Sequence, residues 1–340
     1  MRRSPLSVPI IFLLLAALSC AAAQDDPEAR YQEFRSRLVE MYNAKEYEEI
    51  AALIEENYDR FTGKYSNMSY NMALVCMRLE DYDRAIRYLE KAHEKGHFFN
   101  VWAFQGEQWA PLREREEFDG IIARNLAMKD EAQKRAKPQI EVSVPEDFDT
   151  TRTYPLFIAL HGGGENIGVF RPNWRSDVME REFIIAWVQS SQVVSMNGFS
   201  WEEQETTRRE VREAYEKVCA EYPVDAGEVL IGGFSSGGYG SLVVTFFEEA
   251  VPVKGFVSLC PPMPENVTAA EVAAARERGV RGTIITTELD NRVPAQRAMA
   301  DLLRDNGLQY QFVMTLDIGH WYPGNFPALL DRAIEHIRSD

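Results

Sequence analysis

Cysteine is scarce in this chain, with four residues in 340: Cys20, Cys76, Cys219 and Cys260. They are too few and too scattered for a disulfide framework, and the three beyond the leader described below read as buried thiols, with one bridge among them as the alternative. The five histidines and four cysteines show no zinc-ligand spacing, so no metal is expected. Positive charge is outnumbered, 37 Lys and Arg against 53 Asp and Glu, for a net charge of −16. Such a surface repels phosphate backbones, which argues against nucleic acid as a partner. Long apolar runs are also missing. The one candidate, Val8 to Leu18, is too short for a comfortable membrane span, so none is expected in the mature chain.

What is present at the N-terminus is a leader. Residues 1–23 of "MRRSPLSVPIIFLLLAALSCAAAQ" place Arg2 and Arg3 before an apolar stretch and end in small residues, the layout of a secretory signal peptide. Cleavage after Ala23 predicts an exported protein, periplasmic or secreted. Cys20, preceded by Ala17-Leu18-Ser19, also loosely resembles a lipoprotein cleavage box, so lipid anchoring at Cys20 stands beside soluble release as an alternative.

Residues 27–135 carry helical spacing and almost no strand signal. Apolar side chains recur at Leu38, Met41 and Tyr42, then at Ile50, Leu53 and Ile54, then at Ala85, Ile86 and Leu89. The segments "KEYEEIAALIEEN", "EDYDRAIRYLEKA" and "EEFDGIIARNLAM" align Tyr47, Tyr82 and Phe118, a period of about 35 residues that suits helix-hairpin repeats. The middle unit resembles a tetratricopeptide repeat, with Ala73, Ala85 and Ala92 at the small positions where two helices cross. Such repeats either dock a protein partner or serve as a packing unit. A polar stretch, "KDEAQKRAKPQ", reads as helix end and linker.

From about residue 138 to 340 the pattern alternates. Apolar runs such as "YPLFIAL", "FIIAWVQ", "EVLIGGF", "KGFVSLC" and "GTIITT" are separated by amphipathic stretches, predicting an α/β domain with a mostly parallel sheet covered on both faces. Within it, Gly233-Phe234-Ser235-Ser236-Gly237 fits G-x-S-x-G between a strand and a helix. The turn predicts Ser235 as an exposed nucleophile and Ser236 as the first helical residue.

A serine needs a base, an orienting acid and a site for negative charge. His320, in "LDIGHWYP" after the last strand, is the expected base; His93 and His97 lie in the helical region and His336 in a terminal amphipathic helix. Asp290, in "TTELDNRVP", is the expected acid, with Glu288 and Asp317 as competitors. "HGGGEN" follows a strand, and its glycines let backbone amides face a cavity, so Gly163, or Gly162, is paired with the Ser236 amide as the oxyanion hole. His161 is expected to brace that loop. Trp201 reads as a substrate-pocket wall or as a core aromatic, Cys260 as a neighbour of the site or, in preference, simply a buried thiol, and Tyr239 as helix packing.

These residues together resemble an α/β-hydrolase over roughly 138–340. "HGGGEN", "VQSSQ…FSWEE", "YPVDAGEVLIGGFSSGG" and "LDNRVP…IGHWYP" narrow the resemblance to the phospholipase/carboxylesterase and dienelactone-hydrolase-like branch. The resemblance implies a serine esterase acting on a small-molecule or polymer-linked ester without metal or organic cofactor. The all-α helical-repeat domain that precedes it is a departure, because the compact members of that branch lack one. A serine peptidase of the same fold, or a repeat-based scaffold with a vestigial hydrolase domain, are the alternatives.

Overall fold

The computed structural model describes residues 27–339. The leader, with Cys20 and the cleavage expected after Ala23, lies outside the described residues. Contacts divide the chain into two units, with the boundary between Met128 and Lys129. No helix among the described residues is long and apolar enough to cross a membrane.

The first unit is helical: α1 (Pro27–Ala44), α2 (Tyr47–Asn57), α3 (Tyr65–Arg78), α4 (Tyr82–Glu94) and α5 (Glu116–Gln133), the last running across the boundary. Their apolar stripes close over one core that includes Ile50, Ile54, Met72, Leu89 and Phe118. Tyr47 and Tyr82 open α2 and α4, and Phe118 sits in the first turn of α5, so the aligned register marks helix starts. Ala73, Ala85 and Ala92 are fully buried, and α3 packs against α4. Asp81 caps α4, its carboxylate accepting the Arg84 amide at 3.1 Å. Gln133, at the end of α5, explains why the boundary precedes the polar linker. Its side chain donates to the Ser191 carbonyl and accepts the Val193 amide, each at 2.8 Å, within the second unit.

That second unit is built on a seven-stranded sheet. Its strands are β1 (Gln139–Ser143), β2 (Tyr154–Leu160), β3 (Ile184–Gln189), β6 (Val224–Phe234), β7 (Val253–Leu259), β8 (Arg281–Thr287) and β9 (Gln309–Thr315), in the order β1-β3-β2-β6-β7-β8-β9. Only β1 runs antiparallel to its neighbour. A two-stranded hairpin, β4 (Gln192–Ser195) and β5 (Gly198–Ser200), stands apart. The expected architecture is therefore observed: a mostly parallel sheet, preceded by a helical region.

Along β2, Leu156, Ile158 and Leu160 enter one core while Phe157 and Ala159 enter the other, which is why the strand reads as a continuous apolar run. One face is covered by α7 (Gln204–Glu221), α8 (Ser236–Phe247), α9 (Ala269–Glu277) and α10 (Val293–Asp305), which bury Val211, Leu242, Val272 and Leu303. The other is covered by α6 (Asp177–Glu182) and α11 (Phe326–Arg338), through Met179, Leu330 and Ile334. From β2 the sheet grows one way through β3 and the other way through β6. The carboxyl ends of β2 and β6 thus flank a topological switch point, where open α/β sheets form a crevice.

Candidate active site

The site is assembled from loops at the carboxyl ends of β2, β6, β8 and β9. At the end of β6, Ser235 adopts φ 52° and ψ −115°, a conformation costly for a residue with a Cβ. The turn is held by Ser235 N–H donating to Leu259 O at 2.8 Å and Tyr239 N–H donating to Ser235 O at 2.9 Å. The flanking glycines make it sterically available. A Cβ on Gly233 would lie 2.4 Å from Leu160 O, and one on Gly237 2.1 Å from the same oxygen. Gly237→Ala is therefore expected to destabilise the domain by about 3 kcal/mol or more, through backbone displacement between β2 and α8. Thermal unfolding of the variant checks this.

Ser235 meets His320 and Asp290 in one hydrogen-bonded line. The Ser235 hydroxyl donates to His320 Nε2 at 2.8 Å, and His320 Nδ1–H donates to Asp290 Oδ2 at 2.8 Å. This is the single neutral tautomer that serves both contacts. The Asp290 side chain is fully buried, while that of His320 is 30% exposed. Asp290 Oδ1 accepts the Arg292 amide at 3.0 Å and its guanidinium at 3.3 Å. Burial pushes the Asp290 carboxyl up, but the Arg292 amide, His320 and the guanidinium outweigh it and leave it below its ordinary value. His320 is also lowered, first by burial and then by the Arg292 charge, against the opposing pull of Asp290. Arg292 Nη1 stands 3.1 Å from His320 Nδ1. With both atoms bearing protons, the contact is electrostatic rather than a hydrogen bond. The Phe234 ring stacks on the imidazole at 5.0 Å.

The competitors for the acid's place are elsewhere. Glu288 lies just past β8, where its carboxylate accepts the Asp317 amide at 3.1 Å, so the two tie their loops together. Cys260 is buried beside Asp290, its Sγ 3.4 Å from Thr287 Oγ1, and burial pushes the thiol up to about 12. Cys260, Asp290 and His320 offer ligand atoms within 4.8 Å of one another. The Arg292 guanidinium already occupies this neighbourhood with positive charge, and the thiol is protonated, so the donor set suits a cation poorly.

At the end of β2, every amide of the glycine loop but one is accounted for. Glu165 N–H donates to Gly162 O at 3.1 Å, closing a turn in which Gly164 has φ +80°, the position where a type II turn requires glycine. Gly164 N–H donates to Phe199 O of the β4–β5 hairpin at 2.8 Å. Gly162 N–H donates to the Glu165 carboxylate at 2.8 Å. Among the described residues the Gly163 amide meets no acceptor, nor does that of Ser236 at the start of α8. Gly163 packs against Ser236, since a Cβ on it would lie 3.4 Å from Ser236 Oγ. This corrects one expectation: the Gly162 amide is already occupied, leaving Gly163 and Ser236 as the free pair.

His161 is fully buried, its Nε2 accepting the Ser190 amide at 3.2 Å and its Nδ1–H donating to Gly162 O at 2.8 Å. Burial holds it neutral, pushed down to about 4. Trp201 is 1% exposed and donates through its indole to His161 O at 3.1 Å. The pocket-wall reading of Trp201 is corrected to the core one, because the ring packs beneath the loop. Sequence reasoning missed Glu165, Arg292 and the hairpin. Asn197-Gly198, with Asn197 at φ 60°, was the available signal for the hairpin.

No family model and no curated protein matches the chain. Among solved structures, an uncharacterized protein from Bacillus cereus ATCC 10987 is 23% identical at a TM-score of 0.50, the match covering 91% of this chain and 98% of that one. A carboxylesterase from Mesorhizobium loti is 19% identical at a TM-score of 0.44, over 53% of this chain and 88% of that one. A butyrate-bound thermophilic esterase from Thermogutta terrifontis is 15% identical at a TM-score of 0.42, over 58% and 86%. The likeness to the Bacillus protein is one of fold.

Proposed function

We propose that the chain is an exported serine hydrolase that cleaves carboxylic esters through an acyl-enzyme on Ser235. The observation that carries this reading is the Ser235–His320–Asp290 line, 2.8 Å at each contact, at the switch point of the sheet. His320 Nε2 takes the hydroxyl proton as Ser235 Oγ bonds to the ester carbonyl carbon. The oxyanion is received by the Gly163 and Ser236 amides, donors of a kind worth about 3 kcal/mol each in a transition state. The protonated His320 gives its proton to the departing alkoxide as the ester C–O bond breaks. Water, deprotonated by the same nitrogen, attacks the acyl carbon and releases the acid with Ser235 restored. Asp290 holds the tautomer and stabilises the imidazolium. The leader-like residues 1–23 support export.

The test compares turnover of a nitrophenyl ester with that of aminoacyl and peptidyl amides. Faster ester turnover supports the reading; preference for the amides would replace it with a peptidase.

The working pH follows from His320, which must be neutral to act. Its proton affinity is lowered from the usual 6.5, so the base form persists into mildly acidic solution. The acid limb of kcat/KM on an uncharged ester is expected to have its midpoint below pH 6.5. Arg292→Gln, which removes one of the lowering charges, is expected to move that midpoint upward.

Substrate preference is expected to follow the exposed apolar side chains on the acid and base loops. Leu289 is 67% exposed, Leu316 64% and Trp321 52%, and Trp321 sets its edge against Phe234. Trp321→Ala is expected to raise KM for a hexanoate or octanoate ester by about tenfold, within the burial energy of one aromatic face, and to leave the acetate within about twofold. A chain-length series of nitrophenyl esters reads this directly.

A further inference from the structure

Glu165 is a buried carboxyl that the chemistry above does not use. It is 8% exposed, and its polar surroundings are few: the Gly162 amide at 2.8 Å and the neighbouring Tyr322, whose ring packs 4.4 Å from that of Phe234. Burial pushes its proton affinity up, with the Gly162 amide pulling the other way. A buried carboxyl is costly unless its hydrogen bonds are used, and this one is used on the glycine loop.

Three consecutive glycines offer three amides, and nothing in their own chemistry distinguishes one from another. Their surroundings do. Gly164 is committed to Phe199 O of the hairpin, and Gly162 to the Glu165 side chain. The same residue closes the turn through its backbone, Glu165 N–H to Gly162 O at 3.1 Å, and anchors it to the hairpin through Phe199 N–H to Glu165 O at 2.9 Å. Gly163 is what remains.

We propose that Glu165 is a positioning residue that selects the oxyanion donor, its side-chain oxygen withdrawing the Gly162 amide so that Gly163 alone faces the reacting carbonyl beside Ser236. The inference rests on the serine-hydrolase reading. Without that acceptor the Gly162 N–H is a second unpaired donor one residue away, and the turn relaxes to satisfy it. The Gly163 amide then loses its aim. Ground-state binding, which does not depend on the oxyanion, is untouched.

The test uses the full chain with Glu165→Gln, Glu165→Asp and Glu165→Leu. Gln keeps a carbonyl oxygen at the same reach, and its kcat is expected to stay within about threefold of wild type. Asp keeps the carboxyl but falls a methylene short, and Leu removes the acceptor. Both are expected to lower kcat by about 10- to 100-fold, less than outright loss of a donor, with KM within about threefold. Phenylboronic acid, whose adduct on the serine places an oxygen where the oxyanion forms, should lose affinity in parallel with kcat/KM. Asp is the safeguard should Leu fail to fold.

Asp and Leu variants that are folded and as fast as wild type overturn the inference alone, and so does a Gln variant as slow as the Leu variant. A folded wild type that neither turns over esters nor takes a fluorophosphonate label overturns the hydrolase reading, and the inference with it.

Discussion

Replacing Ser235 by alanine is expected to abolish ester turnover, lowering kcat by about a millionfold, the scale on which a hydrogen-bonded triad collapses when its nucleophile is removed. The neighbouring serine supplies the control. In the proposed mechanism Ser236 acts through its backbone N–H, which alanine retains, and its buried hydroxyl makes no hydrogen bond among the described residues. Removing that hydroxyl forfeits no partner, so Ser236→Ala is expected to keep kcat within about threefold. Ser235→Ala should also relieve nothing in the fold, because alanine carries the same Cβ in the same strained conformation. Its melting temperature should therefore match wild type within a few degrees. Equal losses from the two changes would mean that the strained turn presents the wrong side chain.

Asp290→Asn is expected to lower kcat by about ten-thousandfold while leaving the fold intact. The outcome is decided by which face of the new amide meets the imidazole. Asp290 Oδ1 already accepts two donors from Arg292, its amide at 3.0 Å and its guanidinium at 3.3 Å. An asparagine will turn its own oxygen toward those donors, because its NH2 cannot accept from them. The NH2 then faces His320 Nδ1, which must give up its proton to accept. The imidazole is forced into the tautomer protonated at Nε2, and that nitrogen can no longer take the proton from Ser235. Stopped-flow acylation and steady-state kcat measure the loss; a variant within tenfold of wild type would show that Asp290 does not set the tautomer.

The legibility of this chain varied with the range of the forces involved. Strands buried on both faces are written as continuous apolar runs, so the parallel sheet and its alternation with helices could be read from residues 138 to 340. Gly233, Ser235 and Gly237 could be singled out because a tight turn imposes demands within five residues. Asp290 and His320 could be picked out because each follows a strand end in a fixed order. What could not be read depends on reach between loops. The proposed oxyanion glycine is an example: Gly162 and Gly163 have identical side chains, and only the Glu165 carboxyl, folded back over the turn, tells their amides apart. Trp201 was ambiguous because the hairpin that carries it past the loop and into the core is short, with strands of four and three residues. The proximity of Arg292 to both Asp290 and His320 arises from a side chain reaching over its own turn, which no spacing rule anticipates.

The central claim is that Ser235 is a nucleophile activated by His320. It is tested most directly by reacting the folded chain with a fluorophosphonate and locating the label by peptide mass spectrometry. One label per chain is expected on Ser235, none on Ser235→Ala, and labelling slowed by at least about a thousandfold in His320→Ala. A folded wild type that takes no label, or takes it on any residue other than Ser235, would contradict it.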